Sequence, residues 1–312
     1  MPRFVTFTPN PALDLSTAVD RLVGSHKLRC AAPEVHPGGG GINVARVLHR
    51  LGSEVLALYP AGGATGERLH ALLAAEGVPD RPLPIAGETR ESLTVLARDS
   101  GQEYRFVLPG PRLSDAEWQA ALTHLQTLPS APAWLISSGS LPPGVADDGH
   151  AQVARLAQHI GARMVVDSSG AALSAALAQG VWLVKPSLRE LSDLAGTPLS
   201  TRAEQKQAAR DLIGRGHAQV VALSLGAEGA LLVTADQCLQ ADALPVPVAG
   251  SVGAGDSFLA GLIWALDRQT HPAQALATAM AAGAAAVMRT GTLLCQSVDV
   301  ERMQQEVHVR SA

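Results

Sequence analysis

The chain has 312 residues, 47% of them hydrophobic and 17% charged, enough apolar material for one large domain with an appendage. Its 24 basic and 28 acidic residues give a net charge of −4 with no long block of either sign, which excludes a general nucleic-acid or membrane-surface binder. Cys30, Cys238 and Cys295 are too few and too scattered for a disulfide framework or a zinc site, and fit free thiols in a reducing cytoplasm.

From the start the chain runs straight into a strand expected over 4–8, with no charged and then apolar leader before it. Residues 15–35 follow as a strand-like stretch without a helix, then a helix over 43–51, a strand over 55–59 and a helix over 66–76. A second such stretch, 88–108, carries strands at 92–97 and 104–108. Beyond it, helices at 115–126, 149–160, 171–178 and 202–213 alternate with strands at 134–137, 164–167, 181–184 and 220–224. Helices over 256–266 and 273–287 follow, the second Ala-rich and too short to span a bilayer. The alternation predicts a mostly parallel sheet with helices on both faces, and the two irregular stretches predict a small antiparallel sheet beside it, a candidate lid.

Two glycine motifs carry the chemistry. Gly253-Ala254-Gly255-Asp256-Ser257-Phe258 leads into an apolar helix, and small residues there let a ligand approach the first-turn N–H groups. Asp256 can serve as a base for an alcohol, although Asp is also a routine helix N-cap, and a helix N-terminus by itself lowers a carboxyl pKa. A weak base suffices for phosphoryl transfer, because the nucleophile keeps its proton until late. Pro37-Gly38-Gly39-Gly40-Gly41-Ile42-Asn43-Val44-Ala45-Arg46 is a glycine run that is expensive unless backbone passes close to something; Asn43 can be its N-cap or a ligand contact. The P-loop, dinucleotide and protein-kinase signatures are absent, as are a Gly-x-Ser-x-Gly elbow and a His-Glu-x-x-His pair. The ten histidines are scattered, which favours surface or structural roles.

With both motifs in order, the chain resembles the ribokinase-like, or phosphofructokinase B, sugar kinases over nearly its whole length. The resemblance implies one kinase domain over 1–312 with a Rossmann-like α/β fold and a β-sheet lid from about 15–35 and 88–108. It also implies ATP as phosphoryl donor, Mg²⁺, a monovalent ion such as K⁺, and a homodimer through the lid. Lys27-Leu28-Arg29-Cys30, residues 60–67 and Gly139-Ser140-Leu141-Pro142-Pro143-Gly144 are similar to the branch that phosphorylates fructose 6-phosphate, with fructose 1-phosphate and tagatose 6-phosphate kinases as neighbours. A fold that has kept only the sensing of sugar phosphate or nucleotide is the more distant alternative.

Carried over residue by residue, the resemblance makes Asp256 the catalytic base and the Gly253, Ala254 and Gly255 amides the stabilisers of the moving phosphoryl group. Asp14, Gly39, Gly40, Gly41, Asn43 and Ser140 hold the sugar, and Lys27, Arg29, Arg90 and Arg105 its phosphate, with the transferring or nucleotide phosphates as the alternative for Lys27; a guanidinium fork suits that anion. Lys185, Ser187, Ser224, Gly226 and Gly229 fall on the nucleotide side. Glu190 organises Mg²⁺ through water, and Val252, Ala286 and Gly291 form a monovalent-cation site. Two departures stand out. Ser187 replaces the family's usual Asn in Asn-x-x-Glu, and the glycine run lacks the lysine common in the fructose 1-phosphate and tagatose 6-phosphate relatives.

Overall fold

The computed structural model describes residues 2–312. In chain order the N-terminal half holds β1 (Phe4–Phe7), β2 (Ala12–Val19), β3 (Glu34–Gly38), α1 (Gly40–Arg50), β4 (Val55–Ala61), α2 (Gly63–Ala75), β5 (Asp80–Pro84), β6 (Arg90–Ala97), β7 (Gln102–Val107) and α3 (Asp115–Gln126). The rest holds β8 (Trp134–Ser138), α4 (Gly149–His159), β9 (Arg163–Asp167), α5 (Gly170–Leu177), β10 (Val181–Val184), α6 (Leu188–Ala195), α7 (Arg202–Gly214) and β11 (Ala218–Ser224). It ends with β12 (Ala230–Val233), β13 (Cys238–Ala241), α8 (Ala254–Asp267), α9 (Pro272–Val287), α10 (Ser297–Met303) and β14 (Val309–Ser311).

The main sheet is ten-stranded, in the order β14-β13-β12-β11-β10-β9-β8-β1-β4-β5. The six strands expected for it are all present in it. From β5 to β11 every pairing is parallel, and helices cover both faces, so strands such as Phe4–Phe7 are buried at every position and read as continuous apolar runs. Sequence reading missed the antiparallel edge, β12 to β14, whose strands are three or four residues long and show no alternation. The α8–α9 pair forms much of one face. It packs closely because Gly261 meets Ala282, where an added Cβ would lie 2.9 Å from the alanine's own.

The second sheet is four-stranded, in the order β3-β2-β6-β7, and mixed rather than antiparallel as expected: β2 and β6, joined through the long crossover that includes α1 and α2, pair parallel, while β2–β3 and β6–β7 pair antiparallel. One face carries Asp14, Ser92, Arg105 and Val107; the other carries the cross-strand row Val35, Leu15, Leu93 and Phe106. Among the described residues no helix is long and apolar enough to cross a membrane.

Helix starts are of two kinds, with and without a side-chain cap, and α2, α4, α5 and α10 are of the second kind. α3, α6 and α7 open with complete capping boxes, Ser114/Glu117, Ser187/Glu190 and Thr201/Glu204. α1 and α8 open on Gly39 and Gly253, both at positive φ, with no side-chain cap. Their first-turn N–H groups are therefore left for something else.

Candidate active site

β1 pairs with β4 on one side and β8 on the other, so the strand order reverses at β1. The crevice outside the carboxyl ends of strands at such a reversal is where open α/β sheets bind ligands. A cleft of about 390 Å³ lies there, lined by the ends of β8, β9 and β10, the starts of α1 and α8, and one face of the small sheet.

The glycine run makes the cleft's edge, and most of its closeness is to protein. A Cβ on Gly38 would fall 2.3 Å from the Asp14 carboxylate, one on Gly40 2.2 Å from Ser138 Oγ, and one on Gly41 2.5 Å from Thr8 Oγ1. Gly39 and Gly40 line the cleft, whereas Gly41 is buried against β1. Asn43 is not an N-cap: it lies inside α1, is 4% exposed, and donates from Nδ2 to Asp256 Oδ2 at 2.8 Å.

Asp256 is not a cap either. Gly253 holds the N-cap position of α8, and Asp256 is its third residue, with a side chain free of its own helix. The N–H groups of Gly255 and Asp256 have no acceptor among the described residues. Burial pushes the Asp256 carboxyl up, against the Asn43 hydrogen bond and the charges of Lys185 and Arg105. This direction is opposite to the helix-terminus expectation, because removal from water outweighs the dipole.

The same cleft wall holds a largely buried ion pair, Lys185 Nζ to Asp167 Oδ1 at 3.2 Å. Burial lifts Asp167 to about 6, with Lys185 opposing and Asp256 adding to the rise. Burial disfavours the Lys185 ammonium, but Asp167, Asp256 and Glu190 outweigh it and hold its pKa above the ordinary value. On the small sheet, Asp14 accepts from Thr292 Oγ1 at 3.0 Å, and burial pushes its carboxyl up as well. Arg90 donates to the carbonyls of Asn10, Pro11 and Leu108, which fixes its fork and leaves two of five N–H groups. Arg105 is exposed, lines the cleft and donates to none of the described residues. Ser140 accepts from Asn10 Nδ2 at 3.2 Å.

The cleft thus brings together Asp14, Gly39, Gly40, Asn43, Arg90, Arg105, Ser140, Lys185, Glu190, Val252, Gly253, Gly255 and Asp256. Lys27 and Arg29 do not line it; both are exposed on the loop between β2 and β3. Ser187 caps α6 and bridges to Ser224 at the end of β11, just before the turn holding Gly226 and Gly229. Gly229 also has a structural role, since a Cβ there would fall 2.0 Å from the Ala241 carbonyl oxygen. Glu190 uses one carboxylate oxygen on the Ser187 N–H at 2.7 Å. Ala286 is buried in α9, and Gly291 lines a separate cavity beside Ser16 and Glu34.

Asp167, Arg46 and Thr292 were not anticipated. Asp167 ends a parallel strand, which is itself a signal for a site residue. Arg46 is 1% exposed and donates to Glu76, to the carbonyls of Pro37 and Thr292, and more weakly to Asn43 Oδ1 at 3.4 Å. That last contact turns the Asn43 amide nitrogen toward Asp256.

A carboxylate base, two free helix-terminal N–H groups and fixed cations suit transfer of a charged group to an alcohol. Comparison with known proteins agrees. The chain is 45% identical over 301 residues to an ATP-dependent 6-phosphofructokinase isozyme 2 of Mycobacterium tuberculosis, covering 96% of this chain and 88% of the relative. It is 39% identical over 266 residues to a 1-phosphofructokinase of Xanthomonas campestris pv. campestris, covering 84% and 83% of the two chains. The crystal structure of phosphofructokinase-2 from Escherichia coli in complex with potassium superposes with a TM-score of 0.93 at 41% identity, over 98% of this chain and 99% of that one. The model of the pfkB family of carbohydrate kinases matches residues 11–299, and the chain belongs to that family.

Proposed function

We propose that the protein transfers the γ-phosphoryl group of ATP to fructose 6-phosphate, giving fructose 1,6-bisphosphate, with Asp256 accepting the hydroxyl proton. The observation that carries this reading is Asp256 itself: a cleft carboxylate unused by its own helix, oriented by Asn43 and flanked by two N–H groups without acceptors. Asp14, Asn43, Gly39, Gly40 and Ser140 orient the sugar by hydrogen bonds, and Arg90 and Arg105 take its phosphate. Lys27 and Arg29, on their exposed loop, join only when the small sheet closes as a lid, which also keeps water from competing as acceptor. Of the Gly253, Ala254 and Gly255 amides expected to stabilise the migrating group, Ala254 is directed to the Ser251 carbonyl at 3.5 Å, so the free N–H groups of Gly255 and Asp256 take that role, and Lys185, Ser187, Ser224, Gly226 and Gly229 face the nucleotide.

A Mg²⁺ ion fits Glu190, whose second carboxylate oxygen is free of the capping box and whose side chain lines the cleft. Bound there with ATP, Mg²⁺ would neutralise phosphate charge. Carbonyl oxygens of Val252, Ala286 and Gly291 are the donor type K⁺ takes, and the E. coli relative was crystallised with that ion. A homodimer through the small sheet is supported by its outer row, where Leu93 and Phe106 are 37% and 49% exposed.

Initial rates with Mg²⁺ and ATP on fructose 6-phosphate, fructose 1-phosphate, tagatose 6-phosphate and fructose test the proposal. The highest kcat/KM is expected on fructose 6-phosphate. A preference for fructose 1-phosphate, the reading the Xanthomonas relative favours, would replace the named substrate. Silence on all four, with ligands still bound, would favour a sensor.

A further inference from the structure

His150, the second residue of α4, is fully buried beside the cleft-lining stretch 138–140 and has no part in the reading above. Its Nε2 lies 3.0 Å from the Gly139 carbonyl oxygen and its Nδ1 2.8 Å from Ser137 Oγ. A carbonyl can only accept, so Nε2 carries the hydrogen, and in the neutral ring Nδ1 accepts from the Ser137 hydroxyl. Burial pushes the imidazole down to about 4, which keeps it neutral.

The same carbonyl takes a second donor, Ser168 Oγ, at 3.0 Å, while the Gly139 N–H bonds the Asp167 carbonyl at 2.9 Å. Gly139 sits at φ 108°, a conformation these three hydrogen bonds hold in place. Because a trans peptide is planar, the Gly139 C=O and the Ser140 N–H point in opposite directions. With the carbonyl clamped by two donors, the Ser140 N–H is turned away from them, and no described residue accepts it.

We propose that His150 is a positioning residue: by clamping the Gly139 carbonyl it fixes the Ser140 N–H as a donor to an oxygen of the acceptor sugar phosphate. The inference rests on the phosphosugar-kinase reading and adds to it a residue that does not itself touch substrate. Ser168 holds the same carbonyl from a second direction.

The test compares His150→Leu, which removes both ring contacts, with His150→Gln, whose amide can again donate and accept. His150→Leu is expected to raise the acceptor KM roughly tenfold, the size of about one hydrogen bond, while leaving the ATP KM within about twofold. His150→Gln should recover most of the loss. An unchanged acceptor KM in the leucine variant overturns the proposal, as does an equal rise in both KM values, which general loosening would give. If the leucine variant does not fold, Ser168→Ala must show the same split, and an unchanged acceptor KM there is equally fatal. If the wild type prefers another phosphosugar, the split is read on that sugar. If it turns over none, the kinase reading has failed separately, and the Kd of fructose 6-phosphate for wild type and variant decides: a weaker Kd in the leucine variant supports the clamp and an equal one refutes it.

Discussion

Replacing Asp256 with asparagine removes the proton-accepting oxygen at nearly constant shape. The Asn43 hydrogen bond, 2.8 Å to Oδ2, can be kept by the new amide oxygen, and the NH₂ then stands where the other carboxylate oxygen was. An incoming hydroxyl meets a donor in place of an acceptor. Loss of a positioned general base lowers rates by about 10²–10⁴-fold, and at 25 °C that range is about 3–5 kcal/mol on the barrier.

Stability should move the other way. Burial raises the Asp256 pKa, so at neutral pH its ionised form is held against desolvation, and a neutral amide relieves that. Lys185 loses one of the three carboxylates that support its charge, which offsets part of the gain. The expected result is a kcat lower by at least about a hundredfold, an ATP KM little changed, and a Tm no lower than that of the wild type. Initial rates at saturating substrates and thermal unfolding of the same samples measure all three. Near-normal turnover would refute the base assignment, and a lost ATP KM with a lowered Tm would mean that the variant had damaged the fold.

Gly40→Ala should destabilise the protein by about 1–3 kcal/mol through overpacking and depress kcat/KM, because its Cβ would fall 2.2 Å from Ser138 Oγ and 3.3 Å from the Gly139 nitrogen. Gly214→Ala, at the end of α7 with nothing within 4 Å, is the control and should be neutral or stabilising by about 0.5–1 kcal/mol in urea melts. A third outcome concerns pH. His150 titrates at about 4 in the fold and near 6.5 when unfolded, so between those values the unfolded chain binds the extra proton and stability falls as pH drops. From pH 7 to pH 5 this group accounts for about 2 kcal/mol of loss, and His150→Gln should lose correspondingly less than the wild type over that interval in urea melts. Asp167, raised to about 6, contributes with the opposite sign, and comparing the two proteins cancels it. Equal losses in both would refute the assignment.

The parallel half of the fold was legible because a strand buried on both faces reads as an uninterrupted apolar run, as in Trp134–Ser138, and because each crossover carries a helix. The antiparallel edge was not, since a strand as short as Val309–Ser311 has no period to detect. In the site, the glycine motifs were visible for a reason only partly anticipated. Gly38 and Gly41 make room for Asp14 and Thr8, so the run packs protein against protein as much as it opens toward a ligand. Asp256 and Asn43 were visible as residue types, but their hydrogen bond joins positions 213 apart, and no local pattern encodes it. Arg46 and His150 were illegible for the same reason: a buried polar side chain declares its role only through its partners.

The charges of the cleft bear on what it can receive. Asp14, Asp167, Glu190 and Asp256 line it with Lys185, Arg90 and Arg105, four carboxylates to three cations. Three of those carboxyls are pushed up, and burial is the leading cause in each. Such a site carries no surplus of side-chain charge to attract two phosphate-bearing ligands. Before Mg²⁺ or the loop cations Lys27 and Arg29 join, attraction within this lining comes from oriented groups: the capless start of α8, the fork of Arg90 held by three carbonyls, and the Ser140 N–H on the peptide of the clamped Gly139 carbonyl. Groups of this kind are fixed before the ligand arrives and gain strength as water leaves. Their contribution depends on angle more than on distance, and this explains why so much of the surrounding structure, from Arg46 to His150, holds backbone in one direction.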